Sequence, residues 1–597
     1  MKEFFEKYYI AVFAFILWVT VFVVYLQTLA PTIGFIDSGE LATVASTLGI
    51  AHPTGYPLFT LLGKVFSLVP FSSEEIVRLN VMSALFTSSA AVVFFFLMLE
   101  LLKRDNKKPS AQEIAASIFA SFTLAFSQTF WSQGVSVEVY SLHVLLILLT
   151  TLFFVQAINS DQSSRWFLFA YTFGLSFTNH LTSILLAPSF LFLFFAEHRF
   201  TRTAFRQINK LMLPFILGLS VYLYLPIRAA SQPLLNWGNP QSFEKFWWHI
   251  TGKQFRGWMF ASSDAAQKQL NYFIERVPAE FFYIPVFFAV IGFFILLFSN
   301  KKKFVFVLLL LVACVTYSIN YDIHDIDSYF LLAFISMAIL AGFGILKVFE
   351  VAKVFQNKYV FIGSILAFAS IQVLQNWEDV DQSSNYLVED YTKNILSNLP
   401  PHSIILSYQW DYFISASYYF QHVKNFRSDV IVLDKELLRR SWYFAQLGKM
   451  HRPIMQKSKQ ESEFFLSELN KFEHGIPYDY TTIEGRYVTL IKSFIEYNID
   501  SIDVYLTREI EPNYTSGYNR IPEGFAYKLT KGSLDMYRPA KFPSVVFRKF
   551  EGKTDYSVPI EKFSASILYQ RGLYEREFGK DTLAELYFSK VREMYAK

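Results

Sequence analysis

Tyr9-Ile-Ala-Val-Phe-Ala-Phe-Ile-Leu-Trp-Val-Thr-Val-Phe-Val-Val-Tyr-Leu-Gln-Thr-Leu29 is a mostly apolar run, followed closely by Asp37-Ser-Gly-Glu40 and His52-Pro-Thr-Gly-Tyr-Pro57. A bilayer-spanning helix needs about 20 mostly apolar residues. The first stretch therefore reads as a membrane helix, and the polar motifs as chemistry at its aqueous edge. Similar runs recur at 79–101, 112–130, 137–157, 165–179, 181–197, 211–227, 281–299, 303–320, 328–348 and 358–375, about eleven candidate spans in all. The expected fold is a polytopic α-helical membrane protein. Composition agrees: 53% of residues are hydrophobic, 17% are charged, and mean hydropathy is +0.28, which excludes an ordinary soluble chain of this length. The runs at 165–179 and 181–197 are short and joined without a loop, so they form a broken pair or one re-entrant element.

Lys and Arg flanking membrane helices stay on the cytoplasmic side. With the N-terminus inside, every alternate connection is basic: Lys103, Arg104, Lys107 and Lys108; then Arg199, Arg202, Arg206 and Lys210; then Lys301 to Lys303; then Lys347, Lys353 and Lys358. The opposite loops hold the opening motifs, Glu138, an aromatic polar stretch over 228–280, and Asp322, Asp325 and Asp327. The carboxylates thus collect on the outer face of a cytoplasmic membrane. Met1 to Gln27 is too long for a cleavable signal peptide and lacks a small-residue cleavage pattern, so the first helix is itself the targeting signal.

Two domains are expected, 1–378 in the membrane and 379–597 outside it. In the second, Ile404-Ile-Leu-Ser and Asp429-Val-Ile-Val-Leu-Asp434 alternate with helical patterning, which predicts an α/β fold. Ser564 to Lys597 reads as two amphipathic helices resembling a single tetratricopeptide-like hairpin. Cys314, the only cysteine, lies in a predicted span, so the outer domain holds no disulfide.

Each polar cluster has a structural reading beside a chemical one. Asp37 and Glu40 are spaced as an N-cap and its N3 partner, a capping-box variant; if Asp37 caps, its charge is stabilised and it is the weaker base. His52-Pro-Thr-Gly-Tyr-Pro57 has the residues of a turn. Glu138 sits among aromatic anchors, and Asn179-His180 between apolar runs is suited to a helix-helix hydrogen bond or a cavity. Arg228 emerges on the outer side, where a cation snorkels or binds phosphate. His249, Lys253 and Arg256 extend that phosphate reading or lie on a headgroup-level amphipathic helix. Tyr321-Asp-Ile-His-Asp-Ile-Asp-Ser-Tyr329 offers metal-ligand spacing without a specific signature. No cofactor is expected; a divalent metal at that loop is the alternative.

Gly34-Phe-Ile-Asp-Ser-Gly-Glu-Leu41, Ala51-His-Pro-Thr-Gly-Tyr-Pro-Leu58, Val137-Glu-Val-Tyr-Ser-Leu-His143, Gly174-Leu-Ser-Phe-Thr-Asn-His180, Leu225-Pro-Ile-Arg-Ala229 and Asn236-Trp-Gly-Asn-Pro240 together resemble a family once catalogued as a domain of unknown function. That family includes eukaryotic endoplasmic-reticulum protein O-mannosyltransferases, and the resemblance covers roughly residues 9–380. It implies a GT-C type membrane glycosyltransferase that takes sugar from a polyprenyl-phosphate donor, with an acidic residue of the first outer loop at the catalytic centre.

The chemistry of such a transfer needs a carboxylate base, cationic ligands for the leaving phosphate and a groove in lipid. Asp37 is the candidate base or acceptor-orienting group with Glu40 alongside, and Glu138 orients acceptor or sugar. His52, Tyr56, His180, Arg228 and Arg256 are candidates for the donor and its phosphate. The expected reaction moves mannose or another hexose, with inversion, to a Ser/Thr hydroxyl of exported proteins. The partners are thus the lipid-linked donor, membrane lipid and a polypeptide acceptor, and no nucleic acid. A lipid or cell-surface glycan is the alternative acceptor. A transporter would show inverted repeats and midplane charges, and a scaffold would need none of the first-loop chemistry.

Overall fold

The computed structural model describes the chain except residues 1, 104–107, 352–357, 534, 551, 553–556 and 596–597. Arg104, Lys107 and Lys353 of the predicted basic connections lie outside the described residues. The described chain forms two compact units. One comprises Met1–Ala30, Ile50–Ser231 and Pro240–Ser383; the other comprises Pro31–Gly49, Gln232–Asn239 and Ser384–Lys597. The first outer loop is therefore shared out between the units, as is the segment around Trp237.

The first unit is a multi-pass helical bundle. Among the described residues, seven helices are long and apolar enough to span a bilayer: Tyr8–Gln27, Glu75–Leu102, Val139–Ser160, Leu181–His198, Arg202–Ala230, Lys301–Ile319 and Ile326–Val351. Ser263–Glu280 and Ile284–Ser299 pass the same test only as a pair bent by 109°. The predicted run at 112–130 is a shorter helix, Ala111–Ala125, followed by a single turn, Gln128–Ser132. The short pair at 165–179 and 181–197 proves to be two helical segments, Ser163–Phe177 and Leu181–His198, parted at Thr178-Asn-His180.

Helices with apolar surfaces all round gain little from hydrophobicity in lipid, so close backbone approach carries their packing. Two reciprocal glycine contacts provide it here. A β-carbon on Gly174 would strike the Phe215 carbonyl and one on Gly218 the Tyr171 carbonyl; Gly292 meets Leu340 and Gly344 meets Phe288 in the same way. Polar side chains tie the turns between helices. Asn80 donates to the Ala30 carbonyl at 2.8 Å and accepts from the Val137 N–H at 2.8 Å, and Asn179 donates to Val139 O at 3.0 Å.

The second unit is built on a five-stranded sheet of order β2-β1-β3-β5-β4, with β1 Ile404–Ser407, β2 Ile431–Asp434, β3 Val504–Leu506, β4 Asn519–Glu523 and β5 Ala526–Thr530. β1 is parallel to both β2 and β3, whereas β5 is antiparallel to β3 and β4. All four residues of β1 are buried, as expected of a central parallel strand covered on both faces. The last two helices, Ser557–Glu577 and Asp581–Tyr595, pack with Gly572 against the Phe588 ring. Buried Arg571 fixes the first of them: it bonds Glu575 and donates to the carbonyls of Pro522 and Arg538 at 3.0 and 2.8 Å.

Asp434, which ends β2, is 3% exposed. Its Oδ1 accepts from the N–H groups of Glu436 and Leu437 at 2.8 and 3.1 Å, yet burial outweighs these donors and pushes the carboxyl up to about 7. A carboxyl raised on folding gives stability that is complete below its unfolded value of about 3.9 and is lost as pH rises through the folded value. Asp434→Asn keeps the acceptor without the charge. The expected result is a melting temperature above wild type at pH 8 and equal to it near pH 4; equal curves at both would show that this site does not titrate across the range.

Candidate active site

In the second unit, the chain leaves β1 through a turn of π-helix, Trp410–Ile414, and continues as the helix Ser415–His422. Segment 31–49 docks there. The Ile36 N–H donates to the Asp411 carbonyl at 2.7 Å, the indole N–H of Trp410 donates to Asp37 Oδ1 at 2.7 Å, and the Glu40 N–H donates to Ser415 Oγ at 2.9 Å. Gly39 lets the two helices meet, since a β-carbon there would run into the Ser415 and Ala416 backbone. Trp237 closes the other side of Trp410, edge to face at 5.4 Å, and leans on Trp442 at 4.9 Å.

Asp37 does occupy the N-cap position of the helix Ser38–Thr47, but its side chain makes no cap hydrogen bond. The expected capping box is therefore absent there; its carboxylate turns instead to Trp410. A complete capping box forms elsewhere, between Ser110 and Glu113. Glu40 is fully buried in the same helix, near the Tyr418 hydroxyl, which in turn faces Tyr443 and Asp434.

In the first unit, His52-Pro-Thr-Gly-Tyr-Pro57 is indeed a turn, closed by the Gly55 N–H to the His52 carbonyl at 2.7 Å. Gly55 has φ +88° and Tyr56 φ +43°, and Pro57 begins the helix Pro57–Leu68. The turn is not inert. The Tyr56 hydroxyl lies 2.9 Å from His52 Nε2 and donates to the Pro53 carbonyl at 3.2 Å. The Tyr56 ring is parallel to that of His180, with centroids 6.0 Å apart.

His180 in turn contacts Tyr140 and His143, each at 5.0 Å, and Tyr329 at 5.9 Å. The charge of Asp325 is felt at both Tyr140 and Tyr329. Phe255 lies edge-on to His52 at 6.2 Å. His249 lies beneath the turn, 3% exposed, and its ring bonds the Ala51 backbone while Nε2 has no partner among the described residues. Burial brings its imidazole down to about 3, so it is neutral.

Of the predicted donor-site residues, the structure brings His52, Tyr56 and His180 together. Arg228 is on the neighbouring helix Tyr224–Ala230, whose Leu225 touches the Gly55 turn; its guanidinium donates to Ser231 Oγ at 3.0 Å and reaches Tyr224. Arg256 is exposed and donates to Thr251 Oγ1 at 3.3 Å. Glu138 is the N-cap residue of Val139–Ser160, the helix that carries Tyr140 and His143 into the cluster. Asp37 and Glu40 share one helix start in the second unit.

The 321–329 loop directs its carboxylates apart: Asp327 accepts from Tyr272 at 2.8 Å and faces Arg276 at 3.4 Å, while Asp322 faces Lys268 at 4.0 Å. Tyr140, His143, Thr182, Tyr329 and Trp410 join these clusters without having been assigned a role from the sequence. Tyr140 and His143 lie in the quoted stretch Val137–His143 and Tyr329 ends the quoted 321–329 loop, whereas Thr182 and Trp410 carry no sequence signal.

Gly55→Ala combines an unfavourable φ with a β-carbon 2.9 Å from His249 Nε2 and Leu225 Cδ2. A cost of about 1–3 kcal/mol follows, seen as a lower melting temperature of the detergent-solubilised protein. An unchanged melting temperature would show that the turn relaxes freely.

Comparison with known proteins shows what the chain is similar to. Residues 37–203 match the family described as the protein O-mannosyl-transferase TMEM260 N-terminal domain. The chain is 28% identical over 476 residues to protein O-mannosyl-transferase TMEM260 of Mus musculus, an alignment covering 74% of this chain and 64% of that one. It is 23% identical over 579 residues to protein O-mannosyl-transferase tmem260 of Dictyostelium discoideum, covering 88% and 66%. The chain thus spans just under two thirds of these relatives' length. Among solved structures, ArnT from Cupriavidus metallidurans bound to undecaprenyl phosphate superposes with a TM-score of 0.54 at 11% identity, covering 87% of this chain and 97% of that one. Its apo state gives 0.52, also at 11% identity, covering 89% and 98%.

Proposed function

We propose that this chain, a relative of the protein O-mannosyl-transferase TMEM260 family with the fold of a GT-C membrane glycosyltransferase, transfers a hexose from a polyprenyl-phosphate donor to a Ser or Thr hydroxyl of exported proteins. Mannose is the first sugar to test, on the strength of the relatives' name. The donor class is supported by the undecaprenyl phosphate bound to the ArnT neighbour and by the apolar helices that would keep an isoprenoid tail in lipid.

In this reading the acceptor oxygen attacks C1 of the sugar as the C1–O bond to phosphate breaks. Attack opposite the leaving phosphate inverts the anomeric centre. Asp37 takes the hydroxyl proton, a step that contributes about 10²–10⁴-fold when the base is positioned. Glu40 lies alongside, and Glu138 orients acceptor or sugar. Negative charge grows on the departing phosphate, and Arg228, His52 and His180 meet it with N–H donors. In this reading the chemistry takes place on the extracytoplasmic face of the cytoplasmic membrane.

The observation that carries the reading is the orientation of Asp37. It sits at a helix start in the matched region, yet its carboxylate accepts from the Trp410 indole and leaves the cap unmade. An indole N–H at 2.7 Å fixes the direction in which that carboxylate points.

Asp37→Asn is expected to lower hexosyl transfer by at least about 10²-fold with the protein still folded in the membrane, and Trp410→Phe to lower kcat more than it raises KM. Both are measured with a polyprenyl-phosphate hexose and a Ser/Thr peptide. Retained transfer in Asp37→Asn would remove it as the base. Mass spectrometry of exported proteins from a deletion strain tests the acceptor: loss of a hexose from Ser or Thr supports a polypeptide, and an unchanged profile turns the reading to a glycan or lipid.

A further inference from the structure

His180 is 6% exposed and His143 5% exposed, and Thr182 stands between them. Its Oγ1 is 2.6 Å from His180 Nδ1 and 3.1 Å from His143 Nε2. The Thr182 backbone N–H also points at His180 Nδ1, at 3.4 Å.

These three contacts admit one arrangement of protons. A backbone N–H only donates, so His180 Nδ1 is an acceptor and carries no proton. The Thr182 hydroxyl at the same nitrogen must donate to it too. That leaves the Thr182 oxygen to accept from His143, whose Nε2 therefore bears a proton. His143 Nδ1 is then a bare lone pair, and it is the atom buried without a partner; an orphaned acceptor is the milder defect, since orphaned buried N–H groups are rarer still.

With Nδ1 occupied, the proton of neutral His180 resides on Nε2. That nitrogen takes no hydrogen bond among the described residues. Around the ring stand Tyr56, Tyr140, Tyr329 and His143, with His52 near enough to be felt electrostatically and Asp325 acting on the two tyrosines beyond. None of the groups packed on the ring is a carboxylate that would draw a second proton to it.

We infer that Thr182, backed by His143, sets the tautomer of His180 and presents its Nε2–H as a fixed, uncharged donor to an oxygen of the sugar-phosphate donor. Thr182 and His143 are positioning residues, and only His180 touches the ligand. The assignment of that ligand rests on the function proposed above; the proton arrangement does not. A preset donor saves the reorganisation that a freely tautomerising imidazole would undergo at each encounter.

The test uses the full chain in nanodiscs with 15N-labelled histidine, the His180 signals being identified by their loss in His180→Gln. Wild type is expected to show a non-protonated Nδ1 and a protonated Nε2. Thr182→Val removes the hydroxyl at nearly constant shape and is expected to mix the tautomers; Thr182→Ser is expected to restore the wild-type pattern. In transfer assays, Thr182→Val should raise the KM for the polyprenyl-phosphate hexose about tenfold, the value of one hydrogen bond, with kcat changed less, and Thr182→Ser should recover it.

A protonated Nδ1 in wild type, or a Thr182→Val spectrum identical to wild type, overturns the relay. A Thr182→Ser variant with the Thr182→Val phenotype shows that the methyl group and not the hydroxyl matters, and overturns it equally. Absence of hexosyl transfer in wild type would instead defeat the proposed function, leaving the spectra to decide the relay by themselves.

Discussion

The hydrogen bond from Trp410 to Asp37 joins positions 373 residues apart in sequence, and with its neighbours it ties segment 31–49 to the turn that leaves β1. A short helix such as Ser38–Thr47 is marginal by itself and needs tertiary packing. It obtains that packing from the helix that follows β1, through Gly39 against Ser415, the Glu40 N–H to Ser415 Oγ, and the Ile36 N–H to Asp411. In parallel sheets, ligands bind beyond the carboxyl ends of strands at the point where the strand order reverses. β1 has β2 on one side and β3 on the other, so its carboxyl end is such a point. Here the turn leaving that end holds a segment of the same chain, and that segment carries the carboxylates.

The membrane unit solves a different problem with aromatic and imidazole groups. Buried polar atoms without partners are costly in a dry interior, and the cluster around His180 meets that cost by chaining its hydroxyls and ring nitrogens. Tyr56 bonds His52, and Thr182 links His180 to His143. Arg228, the cationic candidate, is outside this chain of contacts, on the neighbouring helix Tyr224–Ala230. The cluster also explains why the Gly55 turn is so tightly shaped. Its positive φ and its contact with His249 and Leu225 place Tyr56 where it can lie parallel to His180.

Hydropathy reveals the helical membrane class because spans must satisfy their backbone internally, and that demand is written in long apolar runs. It reveals the β1 and β2 strands for a similar reason, since both are short apolar stretches bounded by turns. It fails where structure is set by partners remote in sequence. Asp37 and Glu40 carry the spacing of a capping box, but the donor that wins Asp37 is Trp410, and nothing local to residue 37 announces it. Trp237 and Trp442 look like ordinary aromatic residues until the second unit gathers them around Trp410. Ser163–Phe177 and Leu181–His198 were ambiguous because their break, Thr178-Asn-His180, holds a buried histidine in place of a loop.

That break shows why a polar residue inside apolar sequence is informative. Asn179 donates to the Val139 carbonyl, which pins the start of the helix bearing Glu138, Tyr140 and His143. One residue later, His180 caps the turn Leu181–Leu186 by accepting from the Thr182 N–H. Capping and proton placement are then the same interaction: the helix start needs an acceptor at His180 Nδ1, and supplying it forces the remaining proton to Nε2. A local demand of backbone hydrogen bonding thus fixes which face of the imidazole donates to a ligand, with no charge spent to do so.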